Sequence, residues 1–377
     1  MSDNKYAFET RAIKSVEPSG EKVTPVASPI YLSTTYLRNE DGSYNSDFVY
    51  SRTSNPNRNK LEEACALLEG GKEGFAFSSG MAAIEAVFKC LKSGDHVIIP
   101  DDAYFAVFKL LKEVFSRWGL EFTQVDMSDL NQVRSALKKN TKMIWLESPS
   151  NPLLKISDIS EIAKIAKGKG IWVAVDNTWP TPVLQNPLKL GADIVIHSTT
   201  KYFGGHSDVL GGVVIINEEK ELSELLHNIQ NLGGGVLSPF DSWLTARGIQ
   251  TMHLRVTKQC DSAFELAKFL SGHRAIDKVF YPGLKEHSGH EIAKKQMPNG
   301  FGAMLSILVK GGSKEAIALS NELELFSTAT SLGGVESLIE HRKSVEGPDS
   351  STPENLLRIS VGLENIDDLC NDFHRIL

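Results

Sequence analysis

IHSTTKYFGGHSDVLGG, residues 196–212, runs from an apolar strand end through three hydroxyl side chains, Ser198, Thr199 and Thr200, to a single lysine, Lys201. The glycine pairs Gly204-Gly205 and Gly211-Gly212 follow it. A solvated lysine requires neither the hydroxyls before it nor the glycines after it. The run that leads in, DIVIHS (193–198), is mostly apolar, as expected for a strand buried on both faces. IWVAVD (171–176) has the same character and ends on an acid, Asp176. Ligands of open parallel sheets sit beyond the carboxyl ends of the strands, so Asp176, Ser198, Thr200 and Lys201 are expected to face one crevice.

Outward from this stretch the same grammar repeats. HVIIP (96–100) and MIWLE (143–147) read as further buried strands, and amphipathic runs such as DISEIAKIAKGKG (158–170) lie between them. LEEACALLEG (61–70) places Leu61, Ala64, Cys65, Leu67 and Leu68 on one helical face and stops at Gly70-Gly71. Alternating strand and helix imply βαβ units on a mostly parallel sheet. Near residue 240 the pattern changes. Residues 238–273 read as one long helical region, with room for an interruption, followed by strands in FGAMLSILVK (301–310) and LLRISVGLE (356–364) with helices between. The expected organisation is an extended arm over 1–50, a large α/β domain over 51–248 and a smaller C-terminal α+β domain over 249–377.

Composition narrows the function. The chain has 377 residues and a formal net charge of -7, with no basic stripe, which argues against a nucleic-acid partner. The four cysteines, Cys65, Cys90, Cys260 and Cys370, lack the spacing of a disulfide framework or zinc cluster. The first twenty residues lack the apolar stretch of a secretory signal, and no run is long enough to span a membrane. A cytoplasmic protein is expected. His287, His290 and Glu291 in KEHSGHEIAKK do not have the HExxH spacing and read as helix-capping residues, so no metal is expected. Neither GxGxxG after a first strand nor GxxxxGK[ST] occurs.

The crevice residues suit one cofactor. Pyridoxal phosphate needs an amine for its aldehyde, an acid for its ring nitrogen and donors for its phosphate. Lys201, Asp176 and the Ser198 and Thr200 hydroxyls supply one of each. FAFSSGMAAIEAVFKCL (75–91) adds a strand, a small-residue turn and a helix start, whose free amides and dipole suit an anion, although Ser78-Ser79-Gly80 reads equally as a plain helix cap.

In this order the pieces resemble the pyridoxal-phosphate enzymes of the trans-sulfuration (Cys/Met metabolism) family, the cystathionine γ-synthases, γ-lyases and β-lyases and methionine γ-lyases. The matching segments run through most of the chain. They include YSRTSNP (50–56), SSGMAA (78–83), ESPSNPLL (147–154), VDNTW (175–179), HSTTKYFGGHSDVLGG (197–212), SLGGVESL (331–338) and LLRISVGLE (356–364). The resemblance implies fold type I, like the aspartate aminotransferases. It implies that Lys201 forms the imine with the cofactor and that Asp176 pairs with the ring nitrogen. Gly80, Met81, Ser198 and Thr200 would form the phosphate cup. Tyr104 would stack on the ring and, with Lys201, carry the catalysis. Tyr50 and Arg52 would reach the phosphate of a neighbouring subunit, so a homodimer or homotetramer is implied. Asn151, Ser331 and Arg358 would lie near the substrate carboxylate.

Several positions depart from the family pattern. Phe105 and Ala106 follow Tyr104 where family members often have small residues, and Thr330 stands where many γ-acting members carry a glutamate. EHRKSVEGPDSSTPEN (340–355) replaces the usual histidine-containing loop. Three functions are therefore open: γ-elimination or replacement on a sulfur-containing or O-acylated homoserine-type amino acid; Cβ–S cleavage or racemisation, which need only Cα deprotonation; and a catalytically idle binding module. Retention of Lys201, Asp176 and Arg358 speaks against the last.

Overall fold

A computed structural model of the chain describes residues 6–17, 25–44, 46–217, 219–348 and 350–377. Seven strands form the larger sheet: β1 (Glu73–Phe77), β2 (His96–Pro100), β3 (Glu121–Val125), β4 (Thr141–Glu147), β5 (Trp172–Asp176), β6 (Ile194–Ser198) and β7 (Gly212–Ile216). Their order is β1-β7-β6-β5-β4-β2-β3, and β7 alone runs against its neighbours β1 and β6. The four runs read as strands in the sequence are β2, β4, β5 and β6. Each is bounded by a local signal. The helix Ile159–Ala166 between β4 and β5 opens on Asp158, whose side chain accepts from the Glu161 amide, and buries Ile159, Ile162 and Ile165 on the sheet. The helix Pro56–Glu69 opens on Asn55, with proline at its first position, and ends at Gly70 with φ 75.

A second sheet of five strands contains β8 (Ile276–Phe280), β9 (Met304–Val309), β10 (Ser327–Thr328), β11 (Leu338–His341) and β12 (Leu356–Ser360), in the order β10-β11-β12-β9-β8. The two sheets share a core along the helix Pro239–Ser271, 33 residues without a break. Ile249, Val256 and Ala263 of that helix join Val195, Val213 and Ile215 of the larger sheet to Leu305, Ile307 and Ile359 of the smaller. The division expected at residue 248 lies inside this helix. On the opposite face of the larger sheet, Val87 and Phe88 of the helix Gly80–Lys89 pack with Trp145 and Val214.

The N-terminal segment departs from an extended arm at one place. Phe8–Lys14 is a short helix whose Ala12 is wholly buried in the core shared by the two sheets. From 25 to 54 the described chain has no helix or strand, only the isolated bridges Thr35–Tyr50 and Arg38–Tyr44. Residues 340–355, expected as a loop, continue β11 and then form the helix Arg342–Glu346.

Candidate active site

The carboxyl ends of the central strands converge on a cavity of about 410 Å³ lined by Gly80, Met81, Tyr104, Asn151, Asp176, Ser198, Thr200, Lys201, Ser331 and Arg358, with Glu147, Phe105, Thr330 and Arg342 among the other walls. Ten of the twelve expected site residues are thus brought together. Arg358 on β12 and Ser331 in the loop before β11 come from the part of the chain that builds the smaller sheet, and the remainder from the strand ends, loops and helix start of the larger, so the cavity lies between the two.

The glycine pairs around Lys201 have steric reasons. Gly205 has φ 75, and a Cβ there would stand 2.1 Å from the Arg255 guanidinium, which donates to the Tyr202 carbonyl at 2.9 Å and braces the lysine loop. At Gly212, a Cβ would stand 2.3 Å from the Ser79 carbonyl, so only glycine lets β7 pass under the start of the helix Gly80–Lys89.

That helix start is capped as the sequence allowed, and it also leaves free amides toward the cavity. Ser79 is its N-cap, with Oγ accepting from the Ala82 amide at 3.0 Å. The amides of Gly80 and Met81, one and two positions in, have no acceptor within the helix and border the cavity. A Cβ on Gly80 would close to 2.8 Å of Ser198 Oγ. The free amides suit an anion, and a side chain at Gly80 would crowd Ser198 beside them. Thr200 Oγ1 accepts from the Gly211 amide at 3.1 Å and donates to the Gly211 carbonyl, pinning the loop that carries Lys201.

Lys201 Nζ donates to Ser331 Oγ at 2.7 Å. Burial, followed by the charge of Arg358, lowers its pKa to about 8, so a neutral amine is accessible near physiological pH. Asp176 closes β5, and its Oδ1 accepts the Thr178 amide at 3.0 Å. Burial raises its pKa against the hydrogen bonds from Thr178 and the nearby His197. A cationic ring nitrogen is the partner that such a carboxylate lacks. Tyr104 precedes the helix Phe105–Lys109, and its amide donates to Glu147 Oε2 at 2.7 Å.

Arg358 is 4 % exposed and reaches Asn151 Oδ1 at 3.1 Å, the Ser331 carbonyl at 3.3 Å and Glu340 Oε2 at 2.7 Å. Burial lowers its pKa to about 10, and it remains a cation at neutral pH. Sequence reasoning missed its support. Glu340 also holds Arg342 at 2.7 Å, and Arg342 in turn binds Glu346 at 2.7 Å. Four alternating charges are thus buried at the cavity wall, and three of them, Glu340, Arg342 and Glu346, fall in the stretch noted only as a departure from the family pattern. Glu147 was missed as well. It stands at the end of MIWLE in the same place that Asp176 holds in IWVAVD, and that parallel was the available signal.

Tyr50 and Arg52 lie elsewhere. Tyr50 is 43 % exposed, and Arg52 Nη1 donates to the Asn231 carbonyl at 2.5 Å. His287 and His290 sit at the turn into the helix His290–Gln296, where His287 Nδ1 accepts the Gly289 amide and His290 Nδ1 meets the Pro282 carbonyl. Neither caps the helix as expected: the N-cap is Gly289 and no side chain caps it, and the two rings instead hold the turn that precedes it.

A lysine amine, a buried acid and a helix-start anion cradle, assembled at the carboxyl ends of a mostly parallel sheet, define the site of a pyridoxal-phosphate enzyme. The comparisons with known proteins agree. Residues 9–377 match the family model described as Cys/Met metabolism PLP-dependent enzyme. The chain belongs to that family, uses its cofactor and is an enzyme of its lyase and transferase chemistry. It is 45% identical over 374 residues to a cystathionine gamma-synthase of Mycobacterium tuberculosis, covering 98% of this chain and 96% of the relative. It is 46% identical over 368 residues to a cystathionine gamma-lyase of Bacillus subtilis, covering 95% of each. It is 42% identical over 385 residues to a cystathionine beta-lyase of Coxiella burnetii, covering 100% of this chain and 99% of the relative. The crystal structure of metB from Corynebacterium glutamicum superposes with a TM-score of 0.96 at 43% identity, covering 99% and 98% of the two chains.

Proposed function

We propose that the protein acts at the γ-carbon of a sulfur-containing or O-acylated homoserine-type amino acid, by elimination or replacement. Full-length identity to a γ-synthase and a γ-lyase supports this reading. That identity carries it, and the placement of Lys201, whose Nζ lies 2.7 Å from Ser331 Oγ on the residue whose carbonyl binds Arg358, supplies the base it requires.

Pyridoxal phosphate, when bound, supplies an electron sink for charge developing at Cα of the attached amino acid. Arg358 grips the substrate carboxylate, and its planar guanidinium suits a two-point contact there. Asn151 and Glu340 hold that guanidinium in place. Asp176 keeps a proton at the ring nitrogen. Lys201, with its amine neutral above about pH 8, takes the proton from Cα. γ-Chemistry needs a second proton taken from Cβ, and an amine already poised between Arg358 and the cavity can serve both positions. Phe105, Thr330 and Val345 shape the wall that the substrate side chain meets.

A second reading, Cβ–S cleavage, is favoured by the wall itself, where Thr330 rather than a carboxylate and the ring of Phe105 line the cavity. That reaction needs only the first proton transfer. Incubation of cofactor-loaded protein with homoserine esters, cystathionine, methionine and cysteine separates the two. Formation of 2-oxobutyrate, or of cystathionine from a homoserine ester and cysteine, supports γ-chemistry. Pyruvate from cystathionine or cysteine alone overturns it.

We further infer that a second copy of the chain completes the phosphate cradle with Tyr50 and Arg52. The segment around them presents Leu32 at 70% and Leu37 at 93% exposure, apolar surface that a partner would cover. All four thiols are free, and three are buried, which suits a reducing compartment such as the cytoplasm.

A further inference from the structure

The floor of the cavity holds a second carboxyl group that the mechanism above does not use. Glu147 and Asp176 are register partners at the ends of β4 and β5. Trp145 and Ala174, two residues earlier on each strand, face the same core, so both carboxyls project to one side of the sheet. Adjacent strands lie about 4.8 Å apart. Both acids line the cavity, and Glu147 is 5% exposed. Its Oε2 is committed to the Tyr104 amide at 2.7 Å.

The nearby cations are taken. Arg342 and Arg358 pair with Glu340 and Glu346, and Lys201 donates to Ser331. Among the described residues no ion pair reaches Glu147. Two carboxylates at this spacing in a buried site do not both ionise, because neither burial nor mutual repulsion is compensated. Asp176 gains a compensating cation when the ring nitrogen beside it carries a proton. Glu147 gains none.

We propose that Glu147 works as a neutral carboxylic acid that positions Tyr104, accepting its amide hydrogen bond while leaving Asp176 to carry the single negative charge of the pair. The inference rests on reading Asp176 as the partner of the ring nitrogen. The groups that face Glu147 agree with it. Burial pushes its pKa well above the carboxylate range, and the charge of Asp176 on β5 and of Asp102 after β2 adds to this. The amide of Tyr104 and the charge of Arg358 on β12 oppose the shift without reversing it. Replacing Glu147 with a fixed anion would put repulsive charge beneath the ring. A neutral side chain without an acceptor would release the start of the helix Phe105–Lys109, which carries Tyr104 at its N-cap.

Infrared difference spectra of the holoenzyme, wild type minus Glu147→Gln, test the protonation state directly. They are recorded near pH 8, above the values of about 6 and about 7 to which burial raises Asp102 and Glu62. Loss of a protonated-carboxyl carbonyl band in the variant is expected; loss of carboxylate bands alone overturns the inference. In parallel, Glu147→Gln should leave the pH midpoint of the holoenzyme's visible spectrum in place, and a displaced midpoint also overturns it. Glu147→Leu should weaken cofactor binding by about tenfold, the worth of one buried hydrogen bond, with Gln restoring it; unchanged binding in the Leu variant counts against the positioning role. Asp176→Asn separates the two levels of argument. If it leaves the visible spectrum and cofactor affinity unchanged, the reading of Asp176 fails, whereas the infrared result on Glu147 stands or falls by itself.

Discussion

Lys201 Nζ and Ser331 Oγ meet at 2.7 Å across 130 residues of sequence, and this contact ties the loop after β6 to the loop before β11. Ser331 has φ 101, a conformation that side-chain-bearing residues rarely adopt. Holding it there costs on the order of 1 kcal/mol. The Arg358 guanidinium on its carbonyl and the lysine on its hydroxyl are the contacts that fix it. Ser331→Ala keeps the backbone strain and loses the hydroxyl; Ser331→Gly loses both. The Gly variant should therefore melt no lower than the Ala variant, while both lose turnover by about tenfold, as expected for one hydrogen bond at the reacting amine. Wild-type turnover in either variant would show that the contact is incidental.

The lowered pKa of Lys201 gives a pH dependence with a definite sign. A lysine depressed to about 8 becomes a neutral amine as pH rises through that value, whereas an ordinary lysine does so only near about 10.4. Reductive methylation of the apoprotein, followed by peptide mass spectrometry, should reach its half-maximal rate at Lys201 near pH 8 and level off above it. A rate still climbing at pH 10 would mean that the amine is solvated.

Glu340 is the hinge of the buried charge network, because its Oε2 serves both Arg342 and Arg358 at 2.7 Å. Removing one partner of a buried ion pair costs about 3–5 kcal/mol, since the remaining charge is left without compensation. Glu340→Gln should therefore lower the unfolding free energy by an amount of this order and raise KM for the amino acid more than it lowers kcat, as Arg358 loses its fixed orientation. A larger loss in kcat than in KM would place the network's role in the chemical step instead.

Much of this site could be read in the chain. The strand ends at Asp176 and Ser198 and the glycines after Lys201 are local features: each marks where a parallel strand stops or where backbone must approach backbone. Arg358 and Ser331 were reached only through likeness to a family, because nothing within LLRISVG says that the arginine faces a lysine on another sheet. The Glu340–Arg342–Glu346 set was missed for a related reason. Alternating charge over seven residues normally marks a solvated surface, and only the packing of β11 and β12 buries it. Glu147 shows the converse. Its place at a strand end was visible, yet its significance depends on register with β5, which a single sequence does not encode.

The wall formed by Phe105 and Thr330 bears on which substrate is used. Phe105 contacts Tyr104 edge-on at 5.3 Å and lies 5.9 Å from the Arg342 guanidinium, so its ring fills space between the two. Phe105→Gly should raise kcat/KM for bulky γ-substituents relative to small ones by about tenfold or more, the usual range for one apolar contact in a pocket. Thr330→Glu adds an anion to the same wall and should favour substrates with a cationic or hydrogen-donating distal group. Unaltered discrimination in both variants, measured with the same homoserine esters and cystathionine, would place the specificity elsewhere.

Arg52 offers the sharpest test of the proposed assembly. Its guanidinium lies 5.6 Å from the Tyr50 ring centroid and binds the Asn231 carbonyl, outside the cavity that holds Lys201 of the same chain. If it serves a neighbouring phosphate cradle, Arg52→Ala and Lys201→Ala damage different halves of a shared site. Each variant alone should then be nearly inactive. After subunit exchange at equal concentration, half of the pairs are mixed and one of two sites in each is intact, so about a quarter of wild-type activity should return. A cradle completed within one chain allows no such recovery, because every Lys201 that survives would still lie beside its own missing arginine. Activity that stays at the level of the separate variants, with exchange verified by native mass spectrometry, therefore assigns Arg52 to its own subunit and removes the reason for invoking a second copy.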